Sequence, residues 1–138
     1  MALPLFLQIR DTVPAETLIK LHERFPFLYL IKAVHVVDES AVETAKEFAL
    51  YADAILLDSR TTDRLGGTGI THDWSISARI VSEVNKPVIL AGGLKPANLF
   101  EAMSAVHPYA VDVHSGVKAD GVRDEVFTRE FVRIAHGF

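Results

Sequence analysis

Five times along this chain, a short and mostly apolar run gives way to turn residues and then to a segment whose apolar side chains recur at helical spacing. No other feature constrains the fold as much. The predicted strands are Leu3–Ile9, Leu28–Val36, Ala54–Leu57, Val88–Ala91 and Ala110–Val113, short runs of the kind that are buried on both faces of a sheet. A helix opens near Thr12–Pro14 and carries Ala15, Leu18, Ile19 and Leu21 on one face. It stops before Phe25-Pro26, because the residue preceding a proline is pushed out of the helical region. Asp38–Ser40 caps the next helix, which runs to about Tyr51 with Ala41, Val42, Ala45, Phe48 and Ala49 inward. A long loop, Arg60–His72, is glycine-rich at Gly66–Gly69, and Asp73 is placed to cap a helix holding Ile76, Ile80, Val81 and Val84. Pro96–Val106 follows the fourth strand. After the loop His114–Asp124, a last helix carries Val126, Phe127, Phe131, Val132, Ile134 and Ala135.

Strand and helix in strict alternation define an α/β fold, with a parallel sheet and right-handed crossovers. No low-complexity linker divides residues 1–138, so the reading is one α/β domain. The composition is that of an ordinary globular chain, 49% hydrophobic and 23% charged. A net charge of −4, with no run of Lys or Arg, argues against a nucleic-acid partner. Cysteine is absent, which excludes disulfides, thiolate metal sites and a cysteine nucleophile within this chain. No apolar run is long enough for a membrane span. Met1–Arg10 lacks the basic start and long apolar core of a signal peptide, and a cytoplasmic location is expected.

In parallel α/β folds, ligands bind where the loops after the strands converge. The residues placed there are Arg10 and Asp11, His35 and Asp38, Asp58 and Ser59, Gly92 and Gly93, and Asp112 with His114, Ser115 and Gly116. Asp58 follows Ala54–Leu57 directly. Partial burial could hold such a carboxyl protonated as a general acid, or it could simply cap a helix or brace a loop. His35 is either catalytic or a half-buried strand residue with its polar needs met. Asp73-Trp74 reads as a cap and a packing anchor. Gly92-Gly93 before Pro96 is either an ordinary tight turn or a phosphate cradle, in which backbone N–H groups and a helix N-terminus face an anion. A second glycine loop, Ser115-Gly116, on the next strand shifts the balance to the cradle. A phosphate site beside a strand-end acid points to a phosphorylated sugar. No pair of histidines has metal-ligand spacing, so neither metal nor cofactor is expected.

Five segments in order resemble the phosphoribosylanthranilate isomerase family, the (β/α)8 enzymes of tryptophan biosynthesis. They are L-I-K-A-V-H-V at Leu30–Val36, I-L-L-D-S at Ile55–Ser59, G-G-T-G-I-T-H-D-W at Gly66–Trp74, V-I-L-A-G-G-L-K-P-A-N at Val88–Asn98 and A-V-D-V-H-S-G-V at Ala110–Val117. Leu7–Asp11 is similar, more loosely, to the family's fourth strand, and the close match runs from about Leu28 to the end. The resemblance implies an Amadori rearrangement, which opens a phosphoribosylamine ring and turns an aldose into a ketose. It implies that Asp58 is the general acid, that Gly92, Gly93, Ser115 and Gly116 bind the phosphate, and that Asp112 lies on the anthranilate side. It also implies that the chain matches strands four to eight of the family's eight.

The family's K-x-C-G motif, whose cysteine is the general base, and its S-P-R segment have no counterpart here. The family's D-V-S-S-G is Asp112–Gly116 with histidine at 114, and its L-Q-L-H-G is Leu7–Asp11 with arginine at 10. His114 and His35 are the possible substitutes for the base. Losing a base costs about 10²–10⁴ in rate, so the expected activity is weak or lost. The alternatives are a non-catalytic phosphosugar-binding or interaction protein, or a truncated chain that needs a partner. Five parallel strands do not close an eight-stranded barrel. The expected architecture is therefore a partial barrel whose open edge is covered in a homodimer or by another partner, with an open flavodoxin-like sheet as the alternative.

Overall fold

The chain winds in one direction. In the computed structural model, which describes residues 5–58 and 74–137, the strands β1 (Phe6–Ile9), β2 (Tyr29–His35), β3 (Ala54–Asp58), β4 (Val88–Ala91) and β5 (Ala110–Val111) form one sheet whose spatial order follows the chain order. Every pair is parallel, and the register aligns His35 with Asp58 and Asp58 with Ala91. Helices α1 (Ala15–Arg24), α2 (Ser40–Ala49), α3 (Ser75–Glu83), α4 (Pro96–Val106) and α5 (Glu125–His136) alternate with the strands. A flavodoxin-like sheet would need the winding to reverse after the second strand, giving the order 2-1-3-4-5. The sequential order overturns that alternative and leaves the arc of a (β/α)8 wall. Among the described residues the arc is not closed, and β1 and β5 are its edges.

Period-two alternation sorts the strand side chains between two faces. Leu30, Val34, Ile55, Leu57, Val88 and Leu90 turn toward the helices and are buried against Leu18, Val42, Ile80, Leu99 and Phe131. The opposite, concave face carries a smaller cluster of Ala33, Leu56 and Ala91, with Ile31 and Ile89 beside it. Local signals set the helix starts. The Asp38 carboxylate accepts from the Ser40 N–H at 2.8 Å and from its hydroxyl at 2.5 Å, and these two bonds hold the acid below its ordinary pKa. Asp124 caps α5 by accepting the Phe127 N–H at 2.8 Å. The predicted Asp73 cap and the Gly66–Gly69 loop lie outside the described residues.

Two stretches differ from the sequence reading. β5 ends at Val111 rather than Val113, although the Asp112 N–H still reaches the Leu90 carbonyl at 2.9 Å. The predicted loop His114–Asp124 contains a 3-10 turn (Ser115–Val117) and a small antiparallel hairpin, β6 (Lys118–Ala119) with β7 (Val122–Arg123). Asp120 and Gly121 take φ of 50° and 80° at its tip. An Asp-Gly pair is the sequence signal for such a two-residue turn, because both positions need positive φ.

One charged residue sits among the helix-facing apolar positions. Lys32 is 4% exposed, its Nζ donates to the Ala33 carbonyl at 2.5 Å, and it lies 4.8 Å over the Phe48 ring. Burial lowers its pKa from the ordinary lysine value. While the amine is charged in both states, folding bears the full desolvation cost. As pH climbs toward 10.5 the folded form loses its proton first, so this group's contribution to stability rises. Lys32→Met is therefore expected to stabilise the fold by about 1 kcal/mol at pH 7. In paired urea titrations the advantage should shrink as pH rises toward the lysine range. An advantage independent of pH would show that desolvation of this amine is not its source.

Candidate active site

The parallel strands bring their carboxyl ends to one rim, and a cleft of about 150 Å³ opens there. Its wall takes Gln8 and Arg10 from the β1 side, and Ala33 and Leu56 from the concave face. Asp58 comes from the end of β3, and Gly92, Gly93 and Leu94 from the loop after β4. Asp112, His114 and Ser115 follow β5. Small-molecule sites usually span about 300–1,000 Å³. This cleft therefore fits one end of an elongated ligand, whose remainder would extend over the concave face.

Asp58 is 8% exposed and sits in the register beside His35 on one strand and Ala91 on the other. Its Oδ2 is 3.9 Å from the His35 Nδ1. That is too long for a hydrogen bond, and the His35 side chain is 57% exposed, so the contact is a weak, screened one. His35 stands beside the acid but is not on the cleft wall. His114 is on it. The Lys118 ammonium lies 3.2 Å from the His114 Nε2, and because an ammonium only donates, the imidazole nitrogen is the acceptor in this pair.

Gly92 and Gly93 take φ of 85° and 68°, a left-handed conformation that costs a residue with a Cβ about 1–2 kcal/mol. Asn98, in the first turn of α4, braces the loop from behind. It accepts the Lys95 N–H at 2.9 Å and donates to the Gly93 carbonyl at 3.1 Å. Pro96 at the start of the helix gives up no needed donor. The loop is thus held from the helix side while its cleft side presents backbone. Ser115 and Gly116 open the neighbouring 3-10 turn, where the first N–H groups have no partner within the turn.

Of the residues singled out in the sequence, Arg10, Asp58, Gly92, Gly93, Asp112, His114 and Ser115 share this cleft, and Asp11 does not line it. Gly116 does not line it. A Cβ at that position would stand 1.7 Å from the Leu94 carbonyl oxygen, so the 3-10 turn lies directly on the backbone of the Gly92–Lys95 loop. Asp38 stands just ahead of α2, bonded to Ser40 and away from the cleft, and Ser59 lies outside the described residues. Gln8, Leu94 and Lys118 were not anticipated. Gln8 was within reach of the alternation rule, since it shares a face with Arg10, whereas Lys118 meets His114 because the 3-10 turn Ser115–Val117 lies between them. Among the described residues, no three His, Cys, Asp or Glu side chains gather as a metal ion requires, and no helix is long and apolar enough to cross a membrane.

The pattern of the family described as PRAI, N-(5'phosphoribosyl)anthranilate (PRA) isomerase, matches residues 9–134. It therefore begins well before Leu28, where the close resemblance was expected to start, and it takes in α1 as well. N-(5'-phosphoribosyl)anthranilate isomerase 2 of Methanosarcina mazei is 42% identical over 131 residues, covering 93% of this chain and 58% of that protein. The crystal structure of phosphoribosyl anthranilate isomerase from Thermotoga maritima superposes with a TM-score of 0.81 at 36% identity, covering 97% of this chain and 62% of the other. A further phosphoribosyl anthranilate isomerase, solved in complex with reduced 1-(o-carboxyphenylamino)-1-deoxyribulose 5-phosphate, gives 0.76 at 32% identity, covering 97% and 60%. The chain spans about three fifths of the length of each of these relatives.

Proposed function

The chain belongs to the N-(5'-phosphoribosyl)anthranilate isomerase family, and on that premise we propose that its cleft binds a phosphorylated ribose derivative and isomerises it slowly. The observation that carries this reading is the convergence of a buried strand-end acid, Asp58, with the glycine loops at Gly92-Gly93 and Ser115. The backbone N–H groups of those loops receive the phosphate. Gly116 supports them from behind. The relative solved in complex with reduced 1-(o-carboxyphenylamino)-1-deoxyribulose 5-phosphate supports this reading.

In the proposed reaction Asp58 gives its proton to the ring oxygen, and the C1–O bond opens to an iminium. A base then removes the C2 proton, and the resulting enol becomes the ketose. Asp112, across the cleft, faces the amine side of the ligand. Of the two imidazoles considered as base, His114 is the better placed because it lines the cleft, whereas His35 stands at the rim beside Asp58. No cysteine is present to take this role. A missing or poorly placed base costs about 10²–10⁴ in rate. The five strands are read as the C-terminal five of the family's eight, within a single domain. The edges of β1 and β5 are then covered by a second copy or another chain, because an unpaired edge invites strand addition. Light scattering is expected to give a mass above the 15.2 kDa of one chain.

The test is a titration with ribose 5-phosphate together with a turnover assay on N-(5'-phosphoribosyl)anthranilate. Saturable binding and conversion about 10²–10⁴ slower than by a full-length relative are expected. Binding without any conversion at high protein concentration would remove the catalytic half of the proposal. Absence of saturable binding would remove both halves.

A further inference from the structure

Among the described residues the sheet has two edges, and they differ in what they offer. β5 is two residues long, and a short edge strand is one of the ways a sheet avoids pairing with another chain. β1 is longer and carries no charge from Phe6 to Ile9. Leu5 and Phe6 are 66% and 64% exposed, and Phe25, Phe27 and Tyr29 stand exposed at the same end of the sheet. The parallel ladder fixes which backbone groups of β1 remain to be paired. Phe6 is in register with Tyr29, whose N–H donates to the Leu5 carbonyl at 2.9 Å. The N–H and C=O of one strand residue point to the same side. Leu5, Leu7 and Ile9 therefore bond toward β2, and Phe6 and Gln8 turn theirs outward.

We propose that this edge pairs with the same edge of a second copy, antiparallel and with Leu7 on the two-fold axis, so that the partner's Phe6 closes the β1 side of the cleft. The inference rests on the reading of the sheet as an uncovered barrel arc, and it goes further by naming the cover and what it adds to the site. A single pairing edge is complemented by itself, and such an isologous contact closes at two copies. With Leu7 opposite the partner's Leu7, Phe6 stands opposite the partner's Gln8, and Gln8 opposite the partner's Phe6. These are the outward-turned residues, so each pair exchanges N–H···O bonds both ways. Directly opposed residues share a face, and Gln8 lines the cleft, so the partner's Phe6 joins the wall where β1 leaves it open. Leu7 and Ile9 extend the helix-facing layer across the axis. Charge supports the antiparallel sense. α1 lies on the outer face next to this edge, with Glu16 in its first turn and Arg24 in its last. Antiparallel copies bring each acidic start level with the partner's basic end and set the two helix dipoles in opposition. A parallel pairing would place like ends side by side.

The chain contains no cysteine, so an introduced one forms a disulfide only between copies. The experiment oxidises the Leu7→Cys and Ile9→Cys variants, reads them on a non-reducing gel, and measures the unaltered chain by light scattering. At position 7 the two Cα atoms would lie about 4.5 Å apart, within reach of a disulfide. At position 9 the offset is four residues, about 14 Å, which is out of reach. The expected result is a mass twice the 15.2 kDa of one chain, with Leu7→Cys cross-linked and the cross-link lost in Ile9→Cys. Equal cross-linking of the two variants would overturn the register, and with it the place of the partner's Phe6. A doubled mass with neither cross-link would put the contact on another surface, and the mass of one chain at every concentration would leave the edge uncovered; each overturns the inference. None of these readouts needs a ligand. Saturable ribose 5-phosphate binding by a chain of single mass would sink this inference alone, whereas a cross-linked pair that binds no sugar would sink the phosphosugar reading alone.

Discussion

Replacing Gly116 with alanine is expected to destabilise the fold by about 3 kcal/mol and to weaken ribose 5-phosphate binding at least tenfold. The cause is a backbone clash. The new methyl would meet the Leu94 carbonyl oxygen at 1.7 Å, the Leu94 carbonyl carbon at 2.7 Å and the Lys95 Cα at 3.0 Å. None of these is the end of a flexible side chain, so one loop must move away from the other. Overpacking of this kind costs about 1–3 kcal/mol when side chains can adjust, and backbone cannot adjust so cheaply. A loss of about 3 kcal/mol in a domain of this size lowers the melting temperature by roughly 10 °C. Binding suffers with it, because Gly93 and Ser115 belong to the two loops being pushed apart. Gly121→Ala is the control. Its φ is 80°, but a Cβ there meets nothing within 4 Å. It carries only the left-handed strain of about 1–2 kcal/mol and should leave binding intact. Equal melting temperatures for the two variants would show that the contact between the loops is not what Gly116 protects.

That contrast marks the boundary of what a single sequence discloses. Asp58, Gly92, Gly93, Asp112 and Ser115 could be grouped from the chain alone because parallel strands send all their carboxyl ends to one rim. Recognising the strands thus assembled the site. Gly116 looked the same as its neighbours, a glycine in a strand-end loop. Its contact with Leu94 joins positions far apart in sequence and depends on how two turns settle against each other. No periodicity encodes that. Lys32 was hidden for the opposite reason, since a lysine inside an apolar run does not say whether its stem or its ammonium is buried. The hairpin at Asp120-Gly121 was legible in its turn residues, and reading His114–Asp124 as an undivided loop missed it. Strand order needed the structure as well. Five βα units are compatible with a winding that reverses or one that does not, and only the observed sequential order makes the sheet a barrel arc.

Asp58→Asn is expected to lower the turnover of N-(5'-phosphoribosyl)anthranilate by about 10²–10⁴ while changing its binding by less than about threefold. Asparagine keeps the size and the hydrogen-bonding reach of aspartate but has no proton to give. The substitution therefore separates donation from mere occupancy of the site. The register makes this informative, because Asp58 stands between His35 on β2 and Ala91 on β4 with little solvent around it. His35 is a group that could stand in, and its Nδ1 lies 3.9 Å from the carboxylate. The companion variant His35→Gln should reduce turnover by no more than a few-fold, in keeping with a screened contact worth less than about 1 kcal/mol. Were His35→Gln to match Asp58→Asn, the two would act as one proton-transfer unit, and assigning the acid to Asp58 alone would be wrong. Were Asp58→Asn to weaken binding as strongly as turnover, the carboxylate would be holding the ligand rather than delivering a proton. The Gly92-Gly93 loop would then remain as a phosphate cradle on a chain without its acid.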